Sequence, residues 1–310
     1  MNQLISQYAL ILTLLATIFP ANSFFGSLHA HLAEHAMIVL QPAGTQLTRY
    51  SIPAYRPFPY KNQAAAEYKA AATAAVVYDL DAAQYLYQKN SDQKLPIASI
   101  TKIATALVIL KDHRLDEIMT VPEGINLPAD SERVGIKPQE KFTLHEALRI
   151  MLIPSANDMA EALAVWDAGS RDKFVNKMNQ QANLWGLKNT HFANPTGLDE
   201  ANHFSSPADL VILTTILLQN NEFKEIIDTA QYTAKNQADQ TYNLTSTNKL
   251  LAYDYIHGVK TGLTVEAGQT LITLAERNAH KVVGVVLNSP NRFQESKNML
   301  DWAFANHTWK

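Results

Sequence analysis

The sequence predicts an α+β fold: an antiparallel β-sheet flanked by helices, fed by both ends of the chain, with an inserted mostly helical lobe. Three observations predict it. Strand-like runs occupy residues 73–88, helical segments fill residues 97–219, and strand-like runs return after about residue 240. The simplest layout pairs the early and late strands in one sheet and leaves the middle of the chain to build the lobe.

The elements follow in order. Tyr8 to Pro20 is a mostly apolar run, about the length of a signal-peptide core and short for a spanning helix. No lysine or arginine precedes it, since the first is Arg49, so charge gives no orientation. A cleaved leader and a retained membrane anchor are both consistent with residues 1–30. Residues 31–66 carry Pro42, Pro53, Pro57 and Pro59 without a sustained period, which predicts an extended linker. The folded body is then expected over 67–310.

Within it, Thr73–Asp79 and Gln84–Gln88 read as two strands joined by a turn at Asp79–Ala83. After Pro96, the apolar stretch from Ile97 to Leu110 predicts a buried helix beginning near Ser99. Leu144, Ala147, Leu148 and Met151 lie at helical spacing, and Pro154 ends that helix. Further helices are expected at Asp158–Trp166, Arg171–Leu184 and Ser206–Gln219, the last with a serine cap and Pro207 at its first position. His257–Gly262, Gln269–Ala275 and Lys281–Leu287 read as strands, and Phe293–Ala305 as a closing amphipathic helix.

Composition narrows the function. The 310 residues are 47% hydrophobic and 18% charged, enough to bury a large core. A net charge of −3 leaves no basic footprint, so no nucleic-acid partner is expected. The chain has no cysteine, which removes disulfides, thiolate metal sites and a cysteine nucleophile. His31 and His35 are spaced like metal ligands but fall in the linker without a glutamate beside the first. The histidines of the body, among them His203 and His257, form no such pair. No metal and no cofactor is expected.

Three short motifs carry chemistry: Ser99-Ile100-Thr101-Lys102, Ser155-Ala156-Asn157 and Lys260-Thr261-Gly262. A serine hydroxyl needs a base within hydrogen-bond reach to act as a nucleophile at neutral pH. Residues three apart on a helix share a face, so Lys102 can reach Ser99. The apolar residues around Lys102 would desolvate its amine, lower its pKa and let the neutral form take the serine proton. Ser155 and Asn157 follow a helix end, where they suit projection into a cleft and equally suit capping the next helix. Ser155 could relay a proton to a leaving amine, and Asn157 could orient Lys102 and bind substrate. Lys260 and Thr261 end a strand, where they could hold a carboxylate, while Gly262 admits close approach of a substrate backbone. The amide of Leu263 is the natural partner of the Ser99 amide in an oxyanion hole.

The order S-x-x-K, S-x-N, K-T-G is shared by penicillin-binding proteins and class A β-lactamases. From about Ala74 to the C-terminus the chain resembles the serine D-alanyl-D-alanine carboxypeptidases, the low-molecular-weight penicillin-binding proteins. The resemblance rests on Leu95–Ala106, Leu152–Ala160, Phe192–Leu198, Phe204–Leu210 and His257–Gly262. It implies a β-lactamase/transpeptidase-like fold, with Ser99 as acyl-accepting nucleophile and Lys102 as general base. Ser155 and Asn157 are then catalytic auxiliaries, and Lys260, Thr261, Gly262 and Leu263 bind substrate. Arg292 falls in family-like text too, although a surface salt bridge would explain it nearly as well.

The activity implied is removal of the terminal D-alanine from peptidoglycan stem peptides on the extracytoplasmic side, with β-lactams as inhibitors. The N-terminal segment would supply any attachment to the cytoplasmic membrane. A D,D-endopeptidase of peptidoglycan cross-links is the alternative. A β-lactamase is disfavoured because His191–Asp199 carries no glutamate to activate water, and a non-catalytic penicillin-binding sensor because all three motifs are intact.

Overall fold

The computed structural model describes residues 57–129 and 131–310. The expected leader or anchor and the linker as far as residue 56 lie outside the described residues. Among those described, no helix is long and apolar enough to cross a membrane.

The chain runs β1 (Pro59–Lys61), β2 (Ala74–Asp79), β3 (Gln84–Lys89), a 3₁₀ turn (Ala98–Thr101), then α1 (Lys102–Asp112). Next come β4 (Ile118–Thr120), β5 (Lys141–Thr143), α2 (Leu144–Leu152), α3 (Asn157–Ala168), α4 (Arg171–Leu184), α5 (Pro207–Leu217) and α6 (Asn221–Ile227). The last part holds β6 (Gln231–Lys235), β7 (Thr241–Thr245), β8 (Ile256–Thr264), β9 (Gly268–Arg277), β10 (His280–Ser289), α7 (Arg292–Asn306) and β11 (His307–Trp309).

The central sheet has the order β3-β2-β10-β9-β8, antiparallel throughout. The early and late strands therefore meet at β2 and β10, as the sequence predicts, and β8 forms one edge. Alternation along each strand sends side chains to two cores. Val76, Ile272, Val283 and Val285 face the helical lobe. Val77, Leu271, Val282 and Val286 face α7, where they meet Met299, Leu300 and Ala303. Gly284 lets α7 lie close, because a Cβ there would come within 3.2 Å of Leu300.

In the lobe, α1 is buried along most of its length, with Lys102, Ile103, Ala104, Thr105, Ala106, Val108 and Ile109 inaccessible. Local signals set the helix starts. Thr143, Ser170, Ser206 and Asn291 each cap the following helix by accepting a backbone N–H two or three positions inside it.

Three differences from the sequence reading have physical causes. Part of the linker expected over 31–66 is paired instead: β1 pairs with β11, and Phe58 and Lys310 exchange backbone hydrogen bonds of 2.9 and 3.2 Å. The prolines of this stretch hid a three-residue strand, since proline is tolerated at an edge. The helix expected to begin near Ser99 starts as a 3₁₀ turn, entered through Ala98 at φ 49°. Finally, the hairpins β4–β5 and β6–β7 are too short or too polar to register as strands.

One buried carboxylate ties the sheet to α7. Glu295 accepts the Ala72 N–H at 2.8 Å and the Ser289 hydroxyl. Replacing it by alanine orphans both donors, and loss of such partners costs about 1–3 kcal/mol. Glu295→Ala is expected to lower the unfolding free energy by that amount, read as a lower urea midpoint at an unchanged m-value.

Candidate active site

Ser99 sits in the middle of the 3₁₀ turn, and Lys102 opens α1 directly after it. Lys102 Nζ donates to Ser99 Oγ at 2.9 Å, to Asn157 Oδ1 at 2.7 Å and to the Thr196 carbonyl at 2.8 Å. Its side chain is fully buried. That burial pushes the amine well below the ordinary lysine value, and the nearby Lys260 pushes it further. The carboxylates of Glu161, Asp158 and Glu132 act in the opposite sense. No carboxylate pairs with Lys102 among the described residues, so its three partners are neutral acceptors.

A second lysine lies opposite. Lys260, on the edge strand β8, donates to Ser155 Oγ at 2.8 Å and to the Thr261 carbonyl at 3.2 Å. Burial, then the charge of Arg292, lowers it to about 7. Thr261 shares a 2.5 Å hydrogen bond with Thr247, from the loop after β7.

Ser155 and Asn157 do not cap α3. Its N-cap is Ala156, which makes no side-chain capping bond, and the two flanking side chains turn instead to the two lysines. Ser155 is held at φ 67°, a backbone conformation that costs a non-glycine residue energy and is found disproportionately at functional sites. Asp158 anchors the neighbouring loop by accepting the N–H groups of Val134, Gly135 and Ile136. The Asn157 amide in turn donates to the Glu132 carbonyl at 2.9 Å.

The nucleophile turn is braced from behind. Thr101 Oγ1 donates to the Ala98 carbonyl at 2.9 Å and lies 2.7 Å from His203 Nε2. His203 Nδ1 accepts the Ala193 N–H, so Nε2 carries the proton and donates to Thr101. Burial lowers His203 to about 4, which keeps that neutral tautomer in place at ordinary pH. His257 instead faces Asp228 at 3.2 Å, away from these groups.

Two glycines permit the assembly. A Cβ on Gly197 would sit 1.8 Å from the Ala98 carbonyl oxygen, and its φ is +86°. A Cβ on Gly262 would lie 2.3 Å from Thr270 Oγ1 and 2.9 Å from Ala98 Cβ. The strand bearing Lys260 is thus seated against the turn bearing Ser99. Leu263, next along β8, leaves its side chain 62% exposed.

The structure therefore brings Ser99, Lys102 and Asn157 into one hydrogen-bonded set and Ser155 and Lys260 into a second beside it. Two participants were given no role by the sequence reading. Thr196 contributes only a carbonyl, which any residue could supply. Arg292 makes no ion pair among the described residues, so a surface salt bridge does not explain it. Its Nη1 donates to the Gly262 carbonyl at 2.5 Å, and its Nε is buried without a partner.

This set of groups can activate a serine with an uncharged amine and hold an anion beside it. Among the described residues no group of three His, Asp or Glu side chains could hold a metal ion.

The family model described as D-alanyl-D-alanine carboxypeptidase matches residues 61–291. The chain belongs to the D-alanyl-D-alanine carboxypeptidase family. Among the family's members, the D-alanyl-D-alanine carboxypeptidase DacF of Bacillus subtilis is 34% identical over 246 residues, which cover 76% of this chain and 63% of that protein. The chain thus spans less than two thirds of that relative's length. The crystal structure of the Streptomyces K15 DD-transpeptidase superposes with a TM-score of 0.71 at 28% identity, covering 77% of this chain and 99% of that one. Penicillin-binding protein D2 of Listeria monocytogenes, in an ampicillin-bound form, gives 0.67 at 29% identity over 77% and 99% of the two chains. The transpeptidase-like fold expected from the sequence is the fold observed.

Substituting Gly197 by alanine should disable this carboxypeptidase-family site without touching a reacting group, because Ala98 and the nucleophile turn must move. A displacement of about 1 Å at reacting groups costs roughly 100-fold in rate. We expect a loss of that order in acylation by a fluorescent penicillin, with far-ultraviolet circular dichroism retained.

Proposed function

We propose that the chain is a serine D,D-carboxypeptidase that removes the terminal D-alanine from peptidoglycan stem peptides through an acyl-enzyme on Ser99. The observation that carries this reading is the 2.9 Å contact between Ser99 Oγ and the fully buried amine of Lys102. A desolvated, uncharged amine is the base a serine nucleophile requires.

In the proposed reaction, β8 receives the substrate backbone along its open edge. Lys260, Thr261 and Arg292 hold the C-terminal carboxylate, and the buried unpaired Arg292 Nε supports that assignment. The amides of Ser99 and Leu263 stabilise the oxyanion. As Ser99 Oγ attacks the penultimate carbonyl carbon, its proton passes to Lys102. The Ser155 hydroxyl, held by Lys260, relays that proton from Lys102 to the departing amine of D-alanine, which leaves Lys102 neutral again. Water then attacks the ester with Lys102 again taking the proton, and Ser99 is regenerated on release of the shortened peptide. Asn157 orients Lys102 and offers its amide to the substrate.

β-Lactams acylate the same serine in this scheme, in keeping with the ampicillin-bound form of the Listeria relative. A substrate in the wall places the enzyme on the extracytoplasmic side. The N-terminal segment serves as an export signal, cleaved or kept as a tether.

D-Alanine release from a pentapeptide stem is the direct test. Wild-type protein is expected to release it, and Ser99→Ala to release none and form no covalent penicillin adduct. Cleavage of a cross-linked dimer in place of the pentapeptide would convert the reading to an endopeptidase, and activity on neither would overturn it.

The depressed pKa of Lys102 fixes the pH dependence. The neutral amine is active, so the acylation rate should fall as pH drops through the Lys102 pKa and rise to a plateau above it. Lys102→Ala should remove the limb together with about 10²–10⁴ of the rate, the usual contribution of a positioned base. Stopped-flow acylation across pH 5 to 9 would measure both.

A further inference from the structure

The helix that supplies Asn157 also carries a buried carboxyl group that the proposed reaction leaves unused. Glu161 sits on α3 one turn beyond Asn157, and residues four apart on a helix share a face. Asn157 turns its Oδ1 to the Lys102 amine at 2.7 Å, so the helix carries Glu161 toward the same buried region. Glu161 is only 7% exposed. Among the described residues its one ion-pair partner is Arg171, whose Nε lies 3.6 Å from Oε1. Arg171 in turn pairs with Glu200 at 2.5 Å, which divides its charge between two acids.

We propose that Glu161 is a positioning residue that sets the proton occupancy of the Lys102 amine and thereby the lower pH limit of acylation. The inference rests on the reading of Lys102 as the general base. An ammonium on Lys102 with a carboxylate on Glu161 carries the same total charge as a neutral amine with a neutral acid. The two arrangements differ only in where one proton resides, so the groups titrate as a pair. Burial of both favours the neutral arrangement, while the three acceptors around the Lys102 amine favour the charged one, so the two groups share the proton through the acid limb. Desolvation raises Glu161 to about 7; Arg171 opposes the rise, Glu200 adds to it, and Lys102 opposes it. Of the acids that favour a charged Lys102, Glu161 acts most strongly, ahead of Asp158 and Glu132, while Lys260 opposes them.

The test is the pH profile of penicillin acylation by the full chain, wild type against Glu161→Gln. The amide keeps the shape of the acid and cannot ionise, so a charged Lys102 loses the nearby negative charge that favours it. The midpoint of the acid limb is expected to move to lower pH by roughly half a unit, about a threefold gain in relative rate at the foot of the limb. Arg171→Gln should move it in the same direction, because Glu161 then holds its proton more tightly. Combining the two should move it no further than Glu161→Gln alone.

A midpoint that stays or rises in an acylating Glu161→Gln protein overturns the proposal. A purely structural Glu161 would lower the rate at every pH and leave the midpoint in place. If Glu161→Gln does not fold, the Arg171→Gln midpoint decides in its stead. Wild-type protein that is never acylated overturns both the proposal and the underlying reading of Ser99 and Lys102.

Discussion

The structure is organised around one constraint: a lysine amine has to be taken out of water and still have its hydrogen bonds met. Removing an ammonium from solvent is costly, and a buried lysine without acceptors would distort its surroundings or draw in water. Lys102 finds three neutral acceptors, supplied by three different parts of the chain. Ser99 comes from the turn before α1, Asn157 from the start of α3, and Thr196 from the loop before α5. A carboxylate in any of those places would hold the proton on the lysine. Neutral oxygens satisfy the amine without making it a cation.

Meeting that constraint accounts for features that otherwise look incidental. The loop bearing Thr196 must pass so near Ala98 that only glycine fits at residue 197. It is shaped by Asn194, whose side chain accepts the N–H groups of Thr196 and Gly197 and the Thr196 hydroxyl. The turn before α1 leaves regular geometry at Ala98, and a neutral histidine braces it through Thr101. Ser155 accepts a left-handed backbone so that its hydroxyl meets Lys260 while Asn157, two residues on, meets Lys102. The left-handed backbone at Ala98 and Ser155 and the close approach at Gly197 all serve the holding of the two lysines.

Much of this was legible in the sequence, for a physical reason. Ser99 and Lys102 announce themselves because helical spacing and an apolar neighbourhood both follow directly from residue order. The strands β2, β9 and β10 are legible because each is a run of β-branched or aliphatic residues facing two cores. What stayed hidden depends on pairing across long separations. The β1–β11 ribbon joins residues at opposite ends of the body, and its proline argues locally against a strand. Ser155 and Asn157 carry the same local pattern as capping residues, and only the lysines opposite distinguish the two uses. Thr196 acts through its backbone. Glu161 reads as one polar residue in a helix of alanines until the fold surrounds it.

The sheet edge at β8 has a further consequence. An unpaired edge ordinarily invites another chain to add a strand, and proteins blunt such edges with charge, bulges or cover. Here the register of β8 breaks between Ile256 and Val259, so its regular stretch begins only just before Lys260 and ends at Thr264. That length suits a few residues of extended peptide and is too short to nucleate a stable strand from a folded neighbour. The lysine that marks its start is buried and the glycine in its middle has no side chain to grip, so the edge offers an intruding strand few side chains to hold. Brevity of the exposed edge thus favours a short extended ligand over a long added strand.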